Sequence, residues 1–186
     1  MATDLRPDRG LPITIGGVTF HFLYTFAVID DLQTFFDAPM TEILDKITND
    51  RTFYSAAGRI IEALIRSDLY NNGESNVPTY EQLMHVLTVK DTSRIVRALF
   101  KAYSNDMPER DEDDDQDPDE DVEQINIARL LVIARTEMHM SEDEFWRTTP
   151  RKYFKLFEEY VSLKSASSDK KKPTRKRGGG TIDDLP

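Results

Sequence analysis

The chain has 186 residues, 39% hydrophobic and 31% charged, enough for one ordinary domain or two small ones. It contains no cysteine, which excludes disulfides and thiolate metal sites. The formal net charge is −10; the tract Glu109–Glu123 holds eleven acids and one Arg, so it accounts for −10 alone and leaves the remainder near neutral. No apolar run approaches the ~18 residues of a spanning helix, and the opening MATDLRPDRG lacks a signal-peptide core. A soluble intracellular protein with no membrane partner is expected.

Residues 1–12 are polar with Pro7 and Gly10 and read as a flexible N-terminus. Residues 13–107 are predicted to form an N-terminal helical domain that opens with a short β-hairpin. In Ile13–Phe22, β-branched and aromatic residues flank Gly16-Gly17, a hairpin signal, with Val18, Phe20 and Phe22 on one face of the second strand. Phe26–Phe36 carries Ala27, Leu32, Phe35 and Phe36 at helical spacing. Pro39 suits the first turn of the next helix, which sets Met40, Ile43, Leu44 and Ile47 on one side. Phe53, Ala57, Ile60, Ile61, Leu64 and Ile65 mark a longer helix that Asn71-Asn72-Gly73 stops. Thr79–Thr88 reads as a short helix with Leu83, Met84 and Leu87 inward. Asp91 or Thr92 caps another, carrying Ile95, Val96, Leu99, Phe100 and Tyr103.

Pro108 opens an acidic linker, residues 108–121, where like charges repel and no apolar surface offsets ordering entropy. It is expected to be a disordered, extended tether. A small C-terminal helical module is predicted over 122–164. Its first helix, of about four or five turns, shows Val122, Ile125, Ala128, Leu131 or Val132, Arg135 and Met138 on one face. Ser141 and Glu144 form a capping-box pattern before Phe145 and Trp146, the only Trp. Thr149 at N-cap and Pro150 at N1 begin the last helix, with Tyr153, Phe154, Leu156, Phe157, Tyr160 and Val161 apolar. Residues 165–186 read as a disordered basic tail. The predicted fold class is mainly α.

The acidic tract resembles a cation loop only loosely: DEDDDQDPDEDV has Pro118 and lacks the turn Gly of an EF-hand. It reads as a solvated tether. His21, His85 and His139 lie on different predicted elements and read as structural. No GxGxxG, P-loop, GxSxG or HExxH pattern occurs. No catalytic residue, cofactor site or metal site is assigned, and the chain reads as a non-enzyme; a metal-dependent hydrolase drawing on the acids is a rival reading. KKKPTRKR has six basic residues in eight. It reads first as a solubilising tail, although it could also meet the acidic tract of another copy. A nucleic-acid-associated regulator using this tail is the alternative function. Phe145 and Trp146 read as the core of a module too small to fold without large aromatics, with partner docking as the other reading. On the core reading, Arg147, Arg151, Lys152 and Lys155 form the contact rim.

The stretch ARTEMHMSEDEFWRTTPRKYFKLFEEY resembles the C-terminal module of tail assembly chaperones of long-tailed bacteriophages, a two-module family of frameshift type. There, a helix is followed by an "sxeeFw.mTPre" turn and another helix. Ser141, Glu144, Phe145, Trp146, Thr149 and Pro150 match it, within about thirty residues. The domain order and the opening ITIGGVTFHF are also similar. The strongly acidic linker departs from the family pattern. The resemblance implies a non-enzymatic role in tail morphogenesis in the host cell cytoplasm, by a protein absent from the finished virion. It implies that the first domain coats the tape-measure protein and that the second module recruits tail tube protein. Self-association is a further partner reading. In many phages of this type a shorter form is made alongside the long one by ribosomal frameshifting.

Overall fold

The computed structural model describes residues 9–48, 52–74, 78, 79, 81, 82, 85, 89–108 and 125–169. The expected flexible N-terminus therefore lies largely outside the described residues, as do the acidic tract 109–124, Val122 and residues 170–186. Among the described residues the fold is mainly α: seven helices and one two-stranded hairpin.

The hairpin forms where the glycines predict it. β1 (Leu11–Ile15) and β2 (Val18–Phe22) pair antiparallel with Ile15 opposite Val18. Gly16 (φ 59°) and Gly17 (φ 83°) both take the positive φ that a two-residue turn matching strand twist requires. Phe20 and Phe22 face the core as expected, but Val18, beside the turn, is exposed.

Helices follow: α1 (Phe26–Phe36), α2 (Met40–Lys46), α3 (Phe53–Asn71) and α4 (Val89–Asp106). α3 is the axis of this part, burying Ala56, Ala57, Ile60, Ile61, Ala63, Leu64, Ile65 and Leu69. It ends in a Schellman arrangement. Gly73 (φ 76°) donates to the Tyr70 carbonyl at 3.1 Å, and Glu74 donates to the Leu69 carbonyl at 2.8 Å. α2 buries Met40, Ile43 and Leu44 as predicted, with Ile47 just beyond it.

α1 is rotated from the expected stripe. Phe26, Val28, Ile29 and Leu32 are buried, while Ala27 and Phe35 are exposed. Phe35 instead lies under the Arg59 guanidinium, 4.1 Å from its ring centre. α4 begins at Val89, before either proposed cap, so Asp91 and Thr92 are inside it. Its inward stripe is Ile95, Ala98, Leu99, Ala102 and Asp106; Val96, Phe100 and Tyr103 are half-buried. Of the predicted 79–88 helix, residues 81, 82 and 85 are helical; Leu83, Met84 and Leu87 lie outside the described residues.

The C-terminal helices are α5 (Ile127–Thr136), α6 (Glu142–Trp146) and α7 (Pro150–Asp169). Asn126 caps α5 by accepting the Arg129 N–H at 2.9 Å, so the helix starts later than the apolar spacing suggests. Its buried residues are Ile127 and Ala134, whereas Ala128, Val132 and Arg135 are exposed. α7 continues past Lys164, so residues 165–169, expected to be disordered, are helical.

These helices do not stand off as the tether reading suggested. α6 packs on α1 and α7 on α4, and Ile127, Ala134, Phe145 and Tyr153 join the same buried cluster as Phe26, Leu64 and Leu99.

One buried polar contact ties the hairpin exit to the end of α4. Tyr24 is fully buried, and its N–H donates to the Asp106 carboxylate at 2.8 Å. Burial raises the Tyr24 hydroxyl pKa, with Asp106 and Tyr103 adding to the effect, so the ring stays neutral. Asp106→Ala would orphan that N–H inside the core and is expected to lower the unfolding free energy by about 1–3 kcal/mol. Asp106→Asn keeps an acceptor and should lose less in urea unfolding; equal losses would contradict this assignment.

Candidate partner-binding surface

The segment between α5 and α7 is held by short-range polar contacts that its sequence dictates. Met140 N–H returns to the Ala134 carbonyl at 3.0 Å, and His139 takes a left-handed backbone (φ 55°). Ser141 then caps α6. Its Oγ accepts the Glu144 N–H at 3.2 Å, while Glu144 Oε2 accepts the Ser141 N–H at 2.9 Å. The Ser141 hydroxyl also donates to that carboxylate, at 2.6 Å. These bonds, the hydroxyl's foremost, hold the Glu144 carboxyl below the usual carboxylate range. At the start of α7, Thr149 Oγ1 accepts the Lys152 N–H at 3.4 Å, and Pro150 is buried at the first helical position.

Phe145 points into the core. It stacks on Phe26, with ring centres 4.5 Å apart and planes 6° from parallel. Tyr153 meets Phe26 edge-on at 5.5 Å and Phe145 edge-on at 5.9 Å. The Tyr153 hydroxyl donates to the Leu130 carbonyl at 3.2 Å, which ties α7 to α5. Beside this cluster, the Phe26 N–H, unpaired within α1 at its first turn, donates to the Thr148 carbonyl at 3.0 Å.

Trp146 departs from the core reading. It is half-buried, edge-on to Phe145 at 5.3 Å, and its Nε1 donates to Glu142 at 3.3 Å. Its indole lines a cleft of about 400 Å³ with Val28, Ala63, Tyr70 and Arg147. A second groove, of about 530 Å³, runs between Met138–Met140 and α7.

The four rim residues are spread over different neighbours. Arg147 pairs with Asp143 at 3.1 Å, its guanidinium 5.3 Å from the Tyr70 ring centre. Arg151 is a clamp: Nε donates to the Met107 carbonyl and Nη2 to the Ser104 carbonyl, both at 2.9 Å. Those carbonyls end α4 and lack helical partners, so a cation there is favoured by hydrogen bonding and by the helix dipole. Lys152 borders the second groove, and Lys155 is exposed. Sequence reasoning missed Phe26 and Tyr70. Thr25, an N-cap residue immediately ahead of Phe26, Ile29 and Leu32 in helical step, was the available signal for the first.

Among the described residues, no group of three or more His, Asp or Glu is placed to hold a metal ion, and no helix is long and apolar enough to cross a membrane. Comparison with protein-family models, with curated proteins and with solved structures gave no match.

Phe145→Ala is expected to cost about 3–5 kcal/mol of stability, because it empties the space between Phe26 and Tyr153. Trp146→Ala should cost less, about 1–2 kcal/mol, since the indole is only partly buried at the edge of the core. Urea unfolding of the two variants checks this; equal costs would place Trp146 in the core after all.

Proposed function

We propose that the chain is a tail assembly chaperone of long-tailed bacteriophages, acting by binding and release without catalysis. The observation that carries this reading is the Ser141–Pro150 segment. Each residue that matches the family pattern has a distinct job in building one turn: Ser141 and Glu144 close the capping box, and Phe145 anchors the turn. Trp146 walls the cleft, and Thr149 with Pro150 starts α7. Such a motif preserves a shape presented to partners.

The partners proposed are the tape-measure protein and the tail tube protein, engaged in the host cell cytoplasm before tail completion. A tape measure offers long amphipathic helix, and apolar clefts rimmed by polar groups suit a helix-in-groove contact. The cleft beside Trp146 is of that kind. Weak contacts repeated along a long partner add to high avidity yet release one at a time, as displacement by polymerising tube protein requires. Because Arg151 holds the fold together and Lys152 borders the α7 groove, Arg147 and Lys155 are the basic residues left for a rim contact beside the Trp146 cleft.

Co-expression of the tagged chain with the tape-measure and tube proteins of its own phage tests the proposal. At least one should be retained on pull-down, and Arg147→Glu with Lys155→Glu should weaken retention while leaving the circular dichroism spectrum unchanged. A folded chain that retains neither partner would sink the proposal.

A further inference from the structure

α7 carries two apolar faces: one turns into the core, and the other, joined to the end of α5 by Tyr160 and Lys164 on Glu137, lines an open groove. Tyr153 and Phe157 turn inward, stacked 6.3 Å apart. Leu156, Tyr160 and Leu163 line the groove whose other wall is Met138 and Met140. Leu163 is 69% exposed, and Val161 nearby is 47% exposed. Positions 156, 160 and 163 recur at the spacing of a packed helix stripe, and Lys152 and Glu159 lie on the same groove face.

The charges on that face have an order. Lys152 comes one turn before Leu156, and Glu159 comes about one turn after it. Two copies of α7 crossing antiparallel at Leu156 would set each Lys152 beside the Glu159 of the other copy, twice over. A parallel crossing would set Lys152 against Lys152 and Glu159 against Glu159. The face is therefore complementary to itself under a two-fold axis, the condition for an isologous dimer. The two methionines suit such a contact, since their unbranched side chains adapt to an opposing surface.

We propose that the α7 groove is covered by the same groove of a second copy of this chain, in a two-fold dimer centred on Leu156. The inference does not depend on the chaperone reading.

Sedimentation velocity of the full chain, over a concentration series reaching about 500 μM, tests it. The expected result is a concentration-dependent monomer–dimer equilibrium. Lys152→Glu and Glu159→Lys should each weaken the dimer about tenfold, because each alters both symmetry-related pairs. The double variant, with the charges exchanged, should restore it. Leu163→Glu, at an exposed position that leaves the fold intact, should also weaken it. A chain that stays monomeric throughout would overturn the proposal. So would a dimer indifferent to the single changes and to Leu163→Glu, or a double variant as weak as the singles.

Discussion

The stacking of Phe145 on Phe26, closed at the edge by Tyr153, is the contact on which the rest of the structure depends. It joins two stretches of chain that lie on opposite sides of the acidic tract. Phe26 stands at the first turn of α1, Phe145 in the capping-boxed turn of α6, and Tyr153 in the first turns of α7. Two polar contacts flank the joint: Phe26 N–H to the Thr148 carbonyl, and the Arg151 guanidinium on the end of α4. A hydrogen bond of the first kind contributes about 0.5–1.5 kcal/mol net, and one to a charged group about 1.5–3. Burial of the rings outweighs the first and at least matches the second. The polar contacts therefore set the orientation in which the rings pack, and the rings supply most of the attraction.

This joint changes what the C-terminal helices can present. Had they hung on a tether, the whole turn around Trp146 would have been open to partners. In the structure the turn's core side is spent on α1, and only its outer side remains: the Trp146 face, Arg147 and the groove along α7. Arg151, which looks like a surface cation in sequence, belongs to the fold. The surface left for recognition is thus narrower than the basic flank suggested. It consists of two apolar concavities with charged edges.

The parts of the fold that were legible in the sequence are those decided within a few residues. Gly16-Gly17 turns the hairpin, Gly73 ends α3, and Ser141 with Glu144 and Thr149 with Pro150 start their helices, because the chemistry of each pair acts on its own backbone. The inward stripes were less legible. Ala27 and Phe35 have the right spacing, yet α1 turns Phe26 and Ile29 inward, because the surfaces that cover them come from distant chain. The same holds for α5, where the Asn126 cap shifts the start and so the buried face. The contact between Phe26 and Phe145 had no local signature at all. Two aromatic residues that far apart announce only that each wants a partner. The candidate site was half legible for that reason: the motif residues were found, and their separation into core, clamp and rim was not.

On this packing, α5, α6 and α7 should fold as one cooperative unit with the first part of the chain through that aromatic joint. Trp146 is the only Trp and reports the joint by fluorescence, while far-UV circular dichroism is dominated by α1 to α4 and α7. Urea unfolding followed by both signals on one sample should give a single transition with the same midpoint and slope. A Trp146 transition at a different urea concentration from the loss of helix would show that the C-terminal helices come away on their own, and would contradict the claim.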